Sequence, residues 1–288
     1  AWAARVAASA PVIDPQTALA DMLLHPALRE PLPAGTAPAD RVRLTWPVSG
    51  LAVDRTPDRS LVVFGGSDYA VARRIRSGLA TNPTFLRLFA GEAVLDSVRL
   101  SRHFFGLGPF RADEMTLQDD RIVLEERLSP AYFGPLDAGR RRPDGDYRLV
   151  DEGRFSAAMS FDERPRDEVP LRTRIDVVPT DDGALLTIET DGPICAWSLE
   201  FAFRAGGTFE GVEVRADGTA VLTDGSARYV VGDDALEIGP GTGSSAPAAY
   251  LPGEDYDYLG GTDALGGPRL YVTGTTPGRA TFTVRRVR

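Results

Sequence analysis

Tyr69, Arg73, Arg74, Arg76 and Asn82 share one short stretch, and His103 follows it. Their types suit chemistry on an anionic, oxygen-rich substrate. An Asn amide can polarise a carboxylate, and an Arg can hold one in a bidentate fork. A Tyr hydroxyl or His imidazole can move a proton. Eliminative cleavage next to a carboxylate has three needs: a neutralised anion, a base for the adjacent C–H, and an acid for the leaving oxygen. Tyr69, Asn82 and His103 are the catalytic candidates; Arg73, Arg74 and Arg76 are the substrate-binding candidates. Each also has a plainer role open to it. Arg-Arg-Ile-Arg suits a solvated basic face, and Asn-Pro suits the start of a turn. His103, in Arg-His-Phe-Phe-Gly, suits either stacking on a sugar ring or a half-buried strand position.

Other candidates are weaker. Glu254, Asp255, Tyr256, Asp257 and Tyr258 could hold calcium through carboxylates or a sugar through tyrosines. They lack the spacing and central Gly of a calcium loop, so a solvated loop is the expectation. Asp181-Asp182 and Asp233-Asp234 read as hairpin turns, and Arg140 to Arg142 as a solvated loop tip. Cys195 is the single cysteine, so no internal disulfide forms, and it reads as a small buried apolar residue. His25 and His103 are too few for a self-contained His metal site, and His25, preceding Pro26, reads as structural. No metal or cofactor is expected. Phosphate-loop, nucleophile-elbow, paired-cysteine and His-Glu-x-x-His motifs are all absent.

The elements that must position these residues are strands. From Ile194 to Pro240 apolar and polar residues alternate at period two, and each run ends at a Gly/Asp turn. The same pattern covers most of the chain, with about twenty strand candidates. Turns are expected at Ala90-Gly91, Asp119-Asp120 and near Asp182-Gly183, while Val42–Trp46 and Ser60–Phe64 flank a short connection. No repeat of fixed period stands out, which argues against a propeller. The expected fold is therefore all-β, a large antiparallel two-sheet sandwich. Residues 1–41 differ. Asp14-Pro15 caps a helix that Pro26 ends, and a Pro/Ala linker follows. This segment reads as a short N-terminal helical strap, or as the remnant of a preceding helical domain, with the β domain over 42–288.

Composition narrows the partners. The net charge is −9, and every one of the 32 basic residues is Arg. An acidic chain argues against nucleic acid. No apolar run approaches the roughly 20 residues that span a bilayer.

The stretch Ser60 to Ser101 resembles the first sandwich block of the heparinase II/III-like polysaccharide lyases. There a strand, a loop near the active cleft and a hairpin of the type x-F-x-L-x-x-G-x-x-x-L-x-D follow one another. Here the hairpin residues are Phe85, Leu86, Leu88, Gly91, Leu95 and Asp96. Gly232 to Gly241 and the ending Arg269 to Arg288 are similar in kind. The family's His-rich motif is missing, since Ser77 to Thr84 contains no His. The resemblance implies a supersandwich fold over about residues 45–288, preceded in the family by a helical toroid that brings most of the catalytic groups. It implies β-elimination of an acidic, uronic-acid polysaccharide, possible degeneracy of the site, and a secreted or cell-envelope location. A non-catalytic domain that binds glycan or scaffolds a neighbour is the alternative. A sugar mutarotase, which needs a His pair and a carboxylate base, fits less well.

Overall fold

The computed structural model describes residues 19–20, 23–26, 39–65, 84–145, 161–216, 218–245 and 267–287. Two compact units are distinguished, Ala1–Asp40 and Arg41–Arg288. In the first, helical backbone is described only at residues 19–20, 23–24 and 26, and Leu19, Leu23 and Leu24 are exposed. The helix expected after Asp14-Pro15 thus has no confirmed counterpart among the described residues. No helix there is long and apolar enough to cross a membrane.

The second unit is all-β. One eight-stranded sheet, sheet A, has the spatial order β1 (Val42–Trp46), β2 (Leu51–Arg55), β3 (Ser60–Phe64), β4 (Leu86–Ala90), β5 (Ala93–Arg102), β12 (Ala196–Phe203), β17 (Arg269–Thr275) and β14 (Thr219–Val221). The other, sheet B, has the order β13 (Thr208–Glu210), β15 (Ala227–Val231), β16 (Asp234–Gly239), β18 (Gly278–Val287), β11 (Gly183–Asp191), β10 (Leu171–Pro179), β7 (Arg121–Leu128) and β6 (Glu114–Gln118). A small ribbon pairs β8 (Ala131–Phe133) with β9 (Arg166–Glu168). All pairings are antiparallel except β14 with β17. The expected two-sheet architecture is present. Three strands were not expected: β2 occupies the connection between the first two apolar runs, and β8 and β9 fall in segments that read as loops.

Period-two alternation explains the layering. Leu171, Thr173, Ile175 and Val177 of β10 point inward, while Arg172, Arg174 and Asp176 point to solvent. The inner faces interdigitate in one core, with Leu61, Leu88, Leu100 and Phe201 meeting Leu124, Ile175, Leu186 and Phe282. Full burial of each such side chain stabilises the fold by about 1.5–3 kcal/mol. Phe85, Leu86, Leu88 and Leu95 of the family-like hairpin are all core residues, and Asp96 accepts both hydrogen bonds of an Arg204 fork at 2.8 and 3.2 Å. That motif is structural.

The outer faces differ. Sheet B carries an open charge ladder, in which Glu125 bridges Arg127, Arg172 and Arg174 at 2.8 to 3.1 Å. Burial alone would raise the Glu125 carboxyl, but the hydrogen bonds and charges of these guanidinium groups outweigh it and hold it low. Sheet A instead has a polar outer face that is closed to solvent across β5, β12 and β17, at Ser97, Arg99, Ser198, Glu200, Tyr271 and Thr273.

Candidate functional site

Of the residues singled out for chemistry, Tyr69, Arg73, Arg74, Arg76 and Asn82 lie outside the described residues, as does the stretch Glu254 to Tyr258. His103 is described. It is exposed just past the end of β5, and its backbone N–H donates to the Ala196 carbonyl at 2.8 Å. Arg140, Arg141 and Arg142 lie on an exposed loop, as expected. Among the described residues no group of three or more His, Cys, Asp or Glu is placed to hold a metal ion.

The closed polar face of sheet A holds a charged trio. Register places Glu200 between Arg99 on β5 and Tyr271 on β17. Arg99 Nε donates to Glu200 Oε1 at 2.5 Å, and Tyr271 Oη donates to Glu200 Oε2 at 2.7 Å. Burial, then the negative charge of Glu200, pushes the Tyr271 hydroxyl far up. It stays protonated and is no general base. With Glu200 and Arg99 sealed from water, the trio ties three strands together and offers a substrate no access.

A candidate open to solvent lies at one end of the sandwich, where β5 and β18's partner β11 finish and where β12 and β18 begin. There the sheets part around a half-open cavity of about 240 Å³. Its apolar wall is the Trp197 indole with Ile188 and Ala280; Thr190, Thr275 and Arg279 are among its polar lining residues. Trp197 is 5% exposed and packs edge-on against Phe282, with ring centroids 6.5 Å apart. Its cross-strand partner is Gly274. A Cβ at Gly274 would run into the indole ring, so only glycine lets the ring lie across the strand. On the far rim Thr242 hydrogen-bonds the Thr273 carbonyl at 2.5 Å, and Thr273 Oγ1 meets Ser244 Oγ at 3.0 Å. Thr275 and Arg279 are exposed at the mouth, and Arg279 pairs with Glu189 at 3.3 Å.

On its other side Trp197 faces Arg102 of β5. Arg102 is fully buried and points inward to sheet B. Its Nη1 lies 2.6 Å from Glu126 Oε2 and donates to Thr173 Oγ1 at 2.8 Å. Burial raises the Glu126 carboxyl, and the Arg102 charge opposes this without overcoming it. The rest of the guanidinium braces the next loop, with Nε donating to the Gly108 carbonyl at 3.0 Å and Nη2 to that of Leu107 at 3.3 Å.

That loop displays an aromatic ring. Phe104 is buried beside Leu128 and Leu171. Phe105 is 52% exposed and has φ +49°, in the left-handed region, at a cost of order 1 kcal/mol. Its ring meets that of Phe104 edge-on at 5.0 Å. Sequence reasoning passed over Phe105, Trp197 and Gly274. The Phe-Phe-Gly run was a usable signal for the first; the Trp–Gly pairing depends on register and left none.

No family model matches the chain, and no curated protein or solved structure matches it either. The resemblance to the heparinase II/III-like lyases therefore reaches only as far as a two-sheet, all-β sandwich.

Proposed function

We propose that this chain is a glycan-binding β-sandwich domain of a carbohydrate-active protein. One observation carries the reading: the end cavity, with an indole wall, hydroxyls on its rim and one guanidinium at its mouth. Sugars present apolar C–H faces and many hydroxyls, and such ligands suit a pocket with an aromatic surface and a few placed polar groups. At about 240 Å³ the cavity falls below the usual range for drug-sized ligands, and it suits one ring-sized group. The core behind Trp197 makes it blind, which suits the end of a glycan chain. Arg279 favours an acidic sugar over a neutral one. The reading carries with it a secreted or cell-envelope location.

The finer form of the proposal is that the domain is the C-terminal sandwich of a heparinase II/III-like lyase. A preceding helical domain would then supply most catalytic groups for β-elimination. Its support is the order of strands and the hairpin residues Phe85, Leu86, Leu88, Gly91, Leu95 and Asp96. The absence of a His between Ser77 and Thr84 and the sealed position of Tyr271 favour the non-catalytic form.

Retention on immobilised neutral and acidic polysaccharides tests the binding reading, with wild type run beside Thr275→Trp, which plugs the cavity mouth. Retention that the variant loses is expected. No retention on any polymer overturns the reading. Absorbance of unsaturated uronate products, from this chain alone and joined to a helical domain, separates lyase from binder.

A further inference from the structure

Resting on the glycan reading of the end cavity, we infer that the loop 103–109 is a second sugar-contacting element, with the Phe105 ring as its stacking platform. The ligand is then an oligosaccharide that runs from the cavity across β12 to this loop. Four observations converge on it.

First, the ring is displayed, not stored. Phe105 is 52% exposed, and Ile194, on the neighbouring connection into β12, is 85% exposed. Together they leave apolar surface facing water at this end of the sandwich. Second, the display is enforced. The left-handed backbone at Phe105 is followed by Gly106 at φ +69°, and the loop closes through Leu107 N–H to the Phe104 carbonyl at 2.7 Å. Strained residues persist only where their surroundings over-determine them.

Third, the bracing is buried and charged. Arg102 uses Nε and Nη2 on the carbonyls of Gly108 and Leu107, while Glu126 and Thr173 hold its Nη1. A buried ion pair is a poor source of stability compared with apolar packing, so its use here to fix one surface loop points to a positional role. Fourth, loop and cavity sit on neighbouring strands at the same end of the sandwich. Arg102 pairs with Trp197 and Trp197 with Gly274 across successive strands. The loop therefore leaves the sheet about 5 Å from the indole strand and about 10 Å from the Gly274–Thr275 wall. His103, the loop's first residue, is tethered to the start of β12 through the Ala196 carbonyl. A ring-sized group in the cavity and a later residue of the same chain on Phe105 are compatible with that spacing.

Titration with oligouronates and cello-oligosaccharides of one to six residues tests the inference, comparing wild type with Phe105→Ala, Phe105→Trp and Thr275→Trp. Phe105 is exposed, and an unchanged melting temperature confirms that its variants fold. In wild type, affinity should rise from the monosaccharide to the trisaccharide. Phe105→Ala should lower trisaccharide affinity about tenfold and leave the monosaccharide unchanged, Phe105→Trp should keep the length dependence, and Thr275→Trp should weaken every length. If Phe105→Ala leaves trisaccharide affinity intact while Thr275→Trp abolishes it, the loop is not a subsite and the cavity reading stands. If no saccharide binds wild type, both fall. If affinity is flat with length, the extended ligand is overturned.

Discussion

The two ends of the sandwich are built from the same materials and used oppositely. At one end, near the β4–β5 and β10–β11 turns, charges clamp the sheets shut. Asp54 receives Arg59 at 2.6 Å, Arg43 at 2.7 Å and Arg41 at 3.2 Å, and Arg59 also donates to the Thr180 carbonyl across the gap between sheets. Arg286 of β18 bridges Asp58 at 2.8 Å and Asp234 at 2.9 Å. Asp234 in turn accepts the Glu92 N–H at 2.9 Å over Gly91, where any side chain would strike the carboxylate. At the opposite end one buried pair is described, Arg102 with Glu126, which links the sheets on one side of Trp197, and the other side is left open as the cavity. The clamped end spreads its closure over several pairs, from the buried Asp54–Arg59 pair to the more exposed Asp58–Arg286 pair, so the loss of an exposed one is tolerated. The open end has one buried pair beside its pocket, so losing that pair is expected to cost more there.

The largest expected effect follows from that difference. Arg102→Ala strands the buried Glu126 carboxylate and should lower unfolding free energy by about 3–5 kcal/mol in urea titrations. Gly274→Val drives a side chain into the Trp197 ring; overpacking of this kind costs about 1–3 kcal/mol, and glycan retention should fall with it.

The ends should also answer pH with opposite signs. Burial alone would raise Asp54, but hydrogen bonds from Arg43, Arg59 and Arg41 and the charge of Arg59 hold it below its ordinary 3.8. Between the two pKa values the unfolded chain binds more protons. Its stabilisation is thus present above pH 3.8 and is lost as pH falls through the folded pKa. Glu126 is raised above 4.5 by burial, so the folded chain binds more protons. Its contribution is fully present below pH 4.5 and declines as pH rises through the folded pKa. Urea midpoints followed from acid to neutral pH should show Asp54→Asn losing the acid-side drop and Glu126→Gln losing the decline on the other side. A decline unchanged in Glu126→Gln would assign it elsewhere. The smallest effect belongs to the clamped end, where Asp58→Ala removes one partner of an exposed pair and should cost about 0.2–1 kcal/mol. A larger loss would make the clamp as brittle as the open end.

Much of this architecture was legible in the residues. Alternation in Leu171 to Pro179 assigned a strand and its inner face together, and Gly91, Asp119 and Asp181-Asp182 marked turns where turns occur. The pattern misled at β5 and β12. Ser97, Arg99, Ser198 and Glu200 alternate with apolar residues as a solvated face would, yet all four are buried. Period two reports that faces differ, not what covers the second one. β2 escaped because Leu51–Arg55 is short and sits between prolines at positions 47 and 57. For the site, only His103 of the proposed catalytic set falls among the described residues. Its neighbours among the described residues are Arg102, Phe104 and Ala196.

By itself the sequence determined the period of the strands, the positions of several turns and the all-β class, because backbone pleat and turn geometry act over a few neighbouring residues. Only the tertiary structure decided that Trp197 lies over Gly274, that Arg102 meets Glu126 and that the two sheets part at that end. Those pairings join residues distant along the chain, and their energies depend on register and burial, which no local pattern encodes.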